Sequence, residues 1–330
     1  MYKMYQNSEE LDYSDVFIVP QYSEITTRTE VDTGSNMGWF KVNIPVISAN
    51  MDTVTEWEMA TAMHENGAIG ALHRFNTIQS AVTHYNLTVQ STNTKDMGIT
   101  IVSIGVNRDS KERAEALYKA GARHFVIDIA HGHSKSMKDM IQWMKTTFKD
   151  IYVIAGNVCT AAATRDLAEW GADFVKVGIG PGSVCLTKDV TGVTYPQFSA
   201  VVSCSGHGIP TIADGGIRSI GDIAKALGAG ADFVMLGGML AGTDETPGEI
   251  IDNSKVYRGM ASRDAMRQIR VQDQMPTPEG KTTTVPCKGP VGSIIQDIGG
   301  GLRSAFSYVN ARNLKEFQDK AKFGIRRTAR

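Results

Sequence analysis

The sequence predicts an α/β protein whose core is a closed (β/α)₈ barrel, and two repeated features indicate it. A unit of helical stretch, glycine turn and apolar run recurs, most plainly where GARHFVID, GADFVKVG and GADFVMLG begin at Gly121, Gly171 and Gly230. The apolar runs lack polar alternation, which is typical of parallel strands buried on both faces. Eight such runs follow one another, most of them 22 to 31 residues apart. Eight βα units at this spacing favour a closed TIM barrel over an open sheet.

The spacing of these runs also predicts two elaborated loops. In chain order the runs are 45–51, 68–72, 99–106, 124–130, 151–158, 174–180, 210–216 and 233–238. The one long gap, after the sixth run, predicts an enlarged loop there. About 90 residues follow the eighth run, which is too many for one helix. We therefore predict one catalytic domain over 1–330 without a regulatory insert, with an active-site flap over 243–295 inside it.

Composition and charge argue against several classes of protein. Lys and Arg number 34 against 35 Asp and Glu, a net charge of −1, whereas nucleic-acid binders need a basic excess. No apolar run approaches the roughly 18–20 residues that span a bilayer, and the N-terminus lacks the apolar core of a signal peptide. Four cysteines are too few for a disulfide scaffold. We expect a cytoplasmic protein that binds neither nucleic acid nor membranes.

Polar residues and glycines gather at the carboxyl ends of the predicted strands, where barrel enzymes carry their active sites. The loop after the sixth strand, KVGIGPGSVCLTK, has three glycines in five positions. Such glycines let the backbone approach a ligand and leave amides free for an anion. Cys185, at the far end of this loop, is a candidate nucleophile because a thiolate is intrinsically strong. The other reading is a buried small side chain, which we expect for most intracellular cysteines.

The loops after the seventh and eighth strands each contain a glycine pair, in ADGGIRSIGD and MLGGML. Barrels commonly hold a phosphate after these two strands, although a single pair is equally typical of a plain βα turn. The two pairs together favour a phosphorylated ligand, and Asp214 could accept hydrogen bonds from a ribose diol. His131 and His133 have the spacing of a metal pair, but too few further ligands are in view for us to expect a metal site there.

These segments together resemble the IMP dehydrogenase/GMP reductase family. The resemblance rests on GIGPGSVCLT, IADGGIRSIGDIAKALGAGADFVMLGGMLAGTDETPGE, YRGMAS and EGKTTTVPCKGP, and NMDTVTE, HGHS and AGNV also fit. It covers nearly the whole chain. It implies a (β/α)₈ barrel, usually a homotetramer, that catalyses covalent chemistry at C2 of a purine 5′-monophosphate with a nicotinamide cofactor.

The family catalyses two reactions, and three features favour the reductive deamination of GMP to IMP with NADPH. No regulatory insertion follows the second strand region. The stretch RQIRVQDQMPTPEGK lacks the Arg-Tyr pair with which dehydrogenases activate water. Glu279 falls where the reductases keep a catalytic Glu. YRGMAS, KGPV and HGHS instead resemble the dehydrogenases, and Pro276 replaces an Arg frequent in reductases. An IMP dehydrogenase that lacks the regulatory insert and makes XMP with NAD therefore stays open, as does a non-catalytic barrel that binds purine nucleotides.

The resemblance also implies roles for individual residues. Cys185, Thr187 and Glu279 are the implied catalytic residues. The implied substrate-binding residues are Ser183, Asp214, Gly215, Gly216, Gly237, Gly238, Tyr257, Gly259, Met260 and Ala261. The implied cofactor-binding residues are Thr27, Arg28, Arg74, Asp128, Ile129, Ala130, Ile179 and Gly180, with Ser304 and Ser307 from a neighbouring subunit. A K⁺ ion is implied in the sixth loop, at Gly180, Gly182, Cys185 and Lys188.

Overall fold

A computed structural model of the chain describes residues 10–36, 41–92, 99–107, 109–269 and 277–326. Its centre is a closed barrel of eight parallel strands that are neighbours in chain order. The strands are β1 (Val46–Ser48), β2 (Ile69–Leu72), β3 (Ile101–Ile104), β4 (His124–Asp128), β5 (Tyr152–Val158), β6 (Phe174–Val177), β7 (Thr211–Asp214) and β8 (Phe233–Leu236). Each strand lies inside one of the eight apolar runs. The predicted barrel is therefore confirmed.

The barrel is filled because each strand turns apolar side chains to both of its faces. One buried cluster takes members from all eight strands or their ends and forms the interior: Ile47, Ala49, Ile69, Ala71, Ile101, Val126, Ile154, Phe174, Ile212, Phe233 and Met235. Phe174 and Phe233 meet there edge to face, with ring centroids 6.3 Å apart. A second, larger cluster lies between the strands and the surrounding helices. This filling makes the barrel a rigid support for the loops at its rim.

The helices follow the strands and surround the barrel. They are α1 (Trp57–Glu65), α2 (Ile78–Ser91), α3 (Ser110–Ala120), α4 (Lys135–Thr147), α5 (Ala161–Glu169), α6 (Thr187–Thr191), α7 (Gln197–Cys204), α8 (Ile220–Gly228), α9 (Arg263–Ile269), α10 (Val291–Ser307) and α11 (Leu314–Lys320). Several begin at a residue whose side chain accepts a backbone N–H of the first turn, as at Ser134, Thr160 and Ser219. Such caps satisfy donors that have no partner inside the helix. In the described part of the chain, no helix is long and apolar enough to cross a membrane.

Two long connections depart from the regular βα pattern, after β6 and after β8. The first contains the short helix α6 and ends at α7. The second contains α9 and an antiparallel pair in which Ser254–Arg258 lies beside Thr282–Pro286. The barrel helix α10 begins at Val291, so it starts within the range 243–295 that we predicted as a flap. Pro276 and Arg270 lie outside the described residues.

The two ends of the chain meet on the outside of the barrel. Val16–Ile18 pairs antiparallel with Phe323–Ile325 and packs with α8. The short 3₁₀ helix Arg28–Glu30 packs against α10. This second contact places residues from the start and the end of the sequence on one face.

Candidate active site

A large pocket lies at the carboxyl ends of the barrel strands. Its volume is about 1010 Å³, and residues from the ends of all eight strands line it. A site for one small ligand usually has about 300–1,000 Å³, so this pocket is large enough for a mononucleotide and a further group beside it. The predicted position of the active site agrees with this geometry.

The three implied catalytic residues lie together in this pocket. Cys185, Thr187 and Glu279 all line it, and the Cys185 thiol donates to Thr187 Oγ1 at 3.2 Å. Glu279 comes from the elaborated loop after β8, and its carbonyl accepts the amide of Leu186 at 2.7 Å. Cys185 also faces Gly280 in an antiparallel backbone bridge. The two long loops are thus joined beside the thiol, which is an arrangement that suits covalent chemistry with a nearby proton carrier.

Glycines are required where the β6 and β7 loops touch. A Cβ at Gly178, where φ is +147°, would lie 2.0 Å from the carbonyl oxygen of Asp214. At Gly215, where φ is +88°, a Cβ would lie 2.9 Å from Pro181. Both positions combine a left-handed backbone with close contact, so any side chain would push the loops apart. We interpreted such glycines as allowing the backbone to approach a ligand. They also let the two loops pack closely, and this packing positions the loop that carries Cys185.

The glycine pairs after β7 and β8 form one corner of the pocket, with two hydroxyl groups. A Cβ at Gly237 would lie 2.9 Å from Tyr257 Oη, and one at Gly238 would lie 3.3 Å from Ser183 Oγ. Tyr257 and Ser183 are hydrogen bonded to each other, and burial raises the pKa of Tyr257. The tyrosine hydroxyl therefore keeps its proton and remains a donor. Hydroxyls and free amides in a narrow corner are the groups that bind a phosphate.

A buried charged cluster lies at the floor of the pocket. Lys176 Nζ lies 2.8 Å from Asp128 Oδ1 and 2.5 Å from Asp214 Oδ2, and it donates to Asn157 Oδ1 at 2.5 Å. Burial alone lowers the pKa of Lys176, but the two carboxylates outweigh it and raise that pKa above its ordinary value. The pKa of Asp128 is lowered, because Lys176 and then Arg74 outweigh the effect of burial. Lys176 and Asp128 therefore stabilise each other's charged form.

An ion pair ties the flap to the loop after β1. The Arg258 guanidinium contacts both carboxylate oxygens of Asp52, with Nε at 3.2 and 3.1 Å, and only 12% and 10% of the two side chains are exposed. The segment that follows, 259–261, lines the pocket. The carbonyl of Ala261 accepts the amide of Glu279 at 3.1 Å. The ion pair therefore anchors the end of the strand Ser254–Arg258. The segment that follows this strand holds the backbone of Glu279 through Ala261.

Most of the implied site residues line this pocket, and five do not. Those in the pocket are Arg74, Asp128, Ile129, Ala130, Ile179, Gly180, Gly182, Ser183, Cys185, Thr187, Asp214, Gly215, Gly216, Gly237, Gly238, Tyr257, Gly259, Met260, Ala261 and Glu279. Thr27, Arg28, Ser304 and Ser307 belong to the face where the helix Arg28–Glu30 packs on α10. Lys188 lies in α6, where its carbonyl accepts the amide of Gly192 at 3.1 Å.

Sequence reasoning gave no role to several other residues that line the pocket, namely Met51, Asn107, Asn157, Lys176, Met266 and Lys288. Lys176 had the clearest signal, because it is the one charged residue within the apolar strand Phe174–Val177. A charge inside a buried parallel strand needs partners, so the sequence alone could have identified Lys176 as a candidate site residue. His133 is bonded to Asp166 at 2.7 Å and stacks on Trp170, so its ring serves a structural contact.

Beside the corner formed by the two glycine pairs, the residues around Arg74 suit a nicotinamide dinucleotide. Arg74 donates to the carbonyl of Asp128 at 3.2 Å and lies over the ring of Phe75. Its Nε is buried without a hydrogen-bond partner among the described residues. A cation, a carboxylate and an aromatic face are the groups that bind phosphate, ribose and a flat ring.

The sixth loop can also accommodate a monovalent cation through its backbone. The carbonyl of Gly182 accepts the Cys185 amide at 3.1 Å, which leaves one lone pair free. Backbone carbonyls are the usual ligands of K⁺. Within the described ranges, no group of three or more His, Cys, Asp or Glu side chains could hold a metal ion.

Comparisons with known proteins agree with this geometry. A model of the IMP dehydrogenase / GMP reductase domain matches residues 10–330. GMP reductase 1 of Mus musculus is 39% identical over 95% of this chain and 94% of its own length. The inosine-5′-monophosphate dehydrogenase of Nitrosopumilus maritimus is 33% identical over 96% of this chain and 95% of its own. The crystal structure of a Trypanosoma brucei GMP reductase variant, in complex with guanosine 5′-monophosphate, superposes with a TM-score of 0.89 at 31% identity, covering 98% of this chain and 96% of that one.

The same comparisons show that the missing regulatory insertion is weaker evidence for the reductase reaction than the sequence alone indicates. The alignments with the N. maritimus dehydrogenase and with the GMP reductase of Leishmania donovani extend over 453 and 462 residues, whereas this chain has 330. Relatives of both kinds therefore contain segments that this chain lacks, so the missing insertion does not by itself separate the two reactions. The match over nearly the whole chain shows that the protein belongs to the IMP dehydrogenase/GMP reductase family.

Proposed function

We propose that the protein catalyses the reductive deamination of GMP to IMP and ammonia, with NADPH as the reductant. The observation that carries this proposal is that Cys185, Thr187 and Glu279 line the same pocket, with the Cys185 thiol bonded to Thr187 and the backbone of Glu279 bonded to Leu186. A barrel that only bound nucleotides would need the phosphate corner, which is the corner formed by the two glycine pairs with Ser183 and Tyr257. It would not need a thiol beside a hydroxyl and a carboxyl group.

Contacts to the phosphate and the ribose, far from the reacting carbon, orient the substrate. The amides of Gly216, Gly237 and Gly238, with the Ser183 hydroxyl, hold the phosphate, and Asp214 accepts the ribose hydroxyls. These contacts place C2 of the purine against Cys185 and turn the attack into an intramolecular step. Met260 and Ala261 lie along the same wall, where they contact the base.

The chemistry then needs one nucleophile and one proton path. The Cys185 sulfur attacks C2 of GMP, and the Thr187 hydroxyl, which lies 3.2 Å away, accepts the thiol proton and passes its own proton on to the Glu279 carboxylate. Glu279 returns a proton to the amino group at C2, which leaves as ammonia, and a thioimidate on Cys185 remains. A bound reduced nicotinamide supplies the hydride for this carbon. The thiolate then departs from C2 and IMP is released.

The oxidation of IMP to XMP is the second candidate, because YRGMAS, KGPV and HGHS resemble the dehydrogenase pattern. That reaction ends with hydrolysis of the thioimidate and therefore needs a base that activates water. Tyr257 is the only tyrosine in 243–295, and it lies in the phosphate corner with Ser183. The flap thus has no Arg-Tyr pair for that step, which favours the reductase reaction.

The face that carries Thr27, Arg28, Ser304 and Ser307 supports a proposal about assembly. These residues do not line the pocket of their own chain, and they lie at two elements that pack together, the helix Arg28–Glu30 with its first cap residue Thr27 and the helix α10. We infer that they complete the cofactor site of a neighbouring subunit in a homotetramer, and that K⁺ stabilises the sixth loop.

The test is a steady-state assay that starts from GMP and NADPH and identifies the products. We expect one IMP and one ammonia for each NADPH oxidised, a stronger signal with NADPH than with NADH, and a rate that depends on K⁺. Cys185→Ala is the matched control for background oxidation. Absence of IMP from the wild-type reaction would contradict the proposal.

A further inference from the structure

Lys176 joins two parts of the pocket that bind different ligands in the proposed function. Asp128, at the end of β4, stands beside Arg74 in the proposed cofactor region, and Asp214, at the end of β7, stands beside the proposed phosphate corner. The Lys176 ammonium lies between them, at 2.8 Å from Asp128 and 2.5 Å from Asp214. Only 3% of the lysine side chain is exposed, against 21% of each aspartate side chain.

The hydrogen bonds of Lys176 are all used within the protein. An ammonium group has three donors, and here they reach Asp128, Asp214 and Asn157. Asn157 also donates to Asp214 Oδ2 at 2.9 Å and to the carbonyl of Gly178 at 2.7 Å. The lysine therefore has no donor left for a ligand, while each aspartate still faces the pocket.

We propose that Lys176 is a positioning residue that makes nucleotide binding and cofactor binding depend on one shared buried charge. Its ammonium group contacts both ligand-facing carboxylates, balances their negative charge and fixes the oxygens that accept ribose hydroxyls. The names of the two ligands rest on the proposed function. The dependence itself rests on the contacts of the lysine.

Removal of this charge has a defined electrostatic consequence. Two carboxylates that share a site without a counter-ion cannot both remain ionised, and one takes up a proton. The other groups that face the cluster are Arg74 near Asp128, Asn50 bonded to Asp128, and the neutral tyrosines Tyr13 and Tyr257 near Asp214. Arg74 is the one cation among them and favours ionised Asp128. The loss of the lysine charge therefore acts mainly on Asp214, which has no such cation beside it, and weakens the acceptor for the nucleotide.

The first experiment measures the Kd of GMP and the Kd of NADPH separately by calorimetry, without turnover. We expect Lys176→Met to weaken GMP binding by about 30-fold or more, and to weaken NADPH binding less strongly. GMP binding to this variant should tighten as pH rises, because the carboxylate pair without a counter-ion releases the proton that it has taken up. Lys176→Arg keeps the charge and should keep both affinities within about fivefold of wild type.

A matched control is available at the opposite end of the barrel. Lys145 Nζ contacts Asp173 Oδ2 at 2.5 Å and the carbonyl of Ile151 at 3.2 Å, outside the pocket. Lys145→Met should leave both affinities and their pH dependence unchanged. It reports what the loss of a lysine–aspartate pair does through stability alone.

The decisive arm is a second substitution that removes the repulsion. In Lys176→Met/Asp128→Asn, Asp214 has no like charge beside it, so GMP affinity should return to within about fivefold of wild type and lose its pH dependence. NADPH affinity should fall further than in Lys176→Met, because the Asp128 carboxylate is now also gone.

Two results would overturn this inference while wild-type protein binds both ligands. One is Lys176→Met with unchanged affinities, and the other is a loss of affinity that neither depends on pH nor recovers in the double variant. Failure of the wild-type protein to bind GMP would instead refute the proposed function, so the two failures are distinguishable.

Discussion

At the scale of single residues, the chemistry depends on which groups surround the Cys185 thiol. Its sulfur contacts the Thr187 hydroxyl at 3.2 Å, and the loop that follows it is bonded to the backbone of Glu279. The phosphate corner and Asp214 are separate from these groups. Binding and bond formation are therefore assigned to different residues, and substitutions should separate them.

Replacement of Cys185 by Ala should abolish turnover and leave GMP affinity nearly intact. The thiol forms the covalent bond, whereas the phosphate and ribose contacts supply the binding energy. We expect the Kd of GMP to change by less than about tenfold, or about 1.4 kcal/mol, as measured by calorimetry. A variant that retained more than about a thousandth of the wild-type rate would rule out covalent catalysis by this cysteine.

Replacement of Glu279 by Gln should slow the loss of ammonia far more than hydride transfer. The carboxyl group supplies a proton to the leaving amine, and such a contribution is typically about 10²–10⁴-fold. Rapid-quench detection of ammonia measures the first step, and a single turnover of IMP with NADP⁺ measures hydride transfer alone. If GMP binding is lost while kcat is kept, Glu279 recognises the substrate and carries no proton.

At the scale of elements, an ion pair positions the antiparallel pair of strands in the flap, and no local sequence pattern predicts this ion pair. Asp52 and Arg258 are 206 residues apart in the chain, and only closure of the barrel brings them together. The eight strands were predictable because apolar runs without alternation are local signals. The Asp52–Arg258 pair and the Lys176 cluster were not, because their partners come from different strands.

The substitutions Asp52→Asn and Arg258→Met should have non-additive effects. Loss of one partner removes the counter-ion of a largely buried charge, and breaking such a pair costs about 3–5 kcal/mol. Each single variant should therefore lower stability and, through Ala261 and Glu279, lower kcat for GMP. The double variant should be no worse than either single one, as measured by thermal unfolding and by kcat. Strictly additive losses would mean that the two side chains act independently. Lys135→Met, in an exposed pair with Asp139, is the control.

At the scale of the whole molecule, the residues that we propose for one cofactor site lie in two separate parts of the chain. The pocket contains the nucleotide corner, the thiol and Arg74, while Thr27, Arg28, Ser304 and Ser307 lie elsewhere on the same chain. The family resemblance named these four residues, but the sequence alone could not place them relative to the pocket. Their position follows from the packing of the two chain ends.

Mixed oligomers should test whether neighbouring subunits share a site. Arg28→Glu and Cys185→Ala should each be inactive alone, because one lacks the shared face and the other lacks the nucleophile. Subunits refolded together in equal amounts should recover about a quarter of the wild-type activity, since about that share of sites combines an intact thiol with an intact neighbouring face. A mixture of Cys185→Ala with Glu279→Gln should not recover. An inactive first mixture that still assembles would show that each site is complete within one chain.

The direction of the reaction is tested most directly with IMP and an oxidised nicotinamide cofactor, NAD⁺ or NADP⁺. Oxidation of IMP leaves a covalent adduct on Cys185, and its hydrolysis needs the Arg-Tyr pair with which dehydrogenases activate water, which is missing from the sequence of the flap. We expect at most one equivalent of reduced cofactor per active site, a Cys185 adduct visible by intact-protein mass spectrometry, and no accumulation of XMP. Sustained production of XMP over many turnovers would contradict the reductase proposal and establish the dehydrogenase reaction instead.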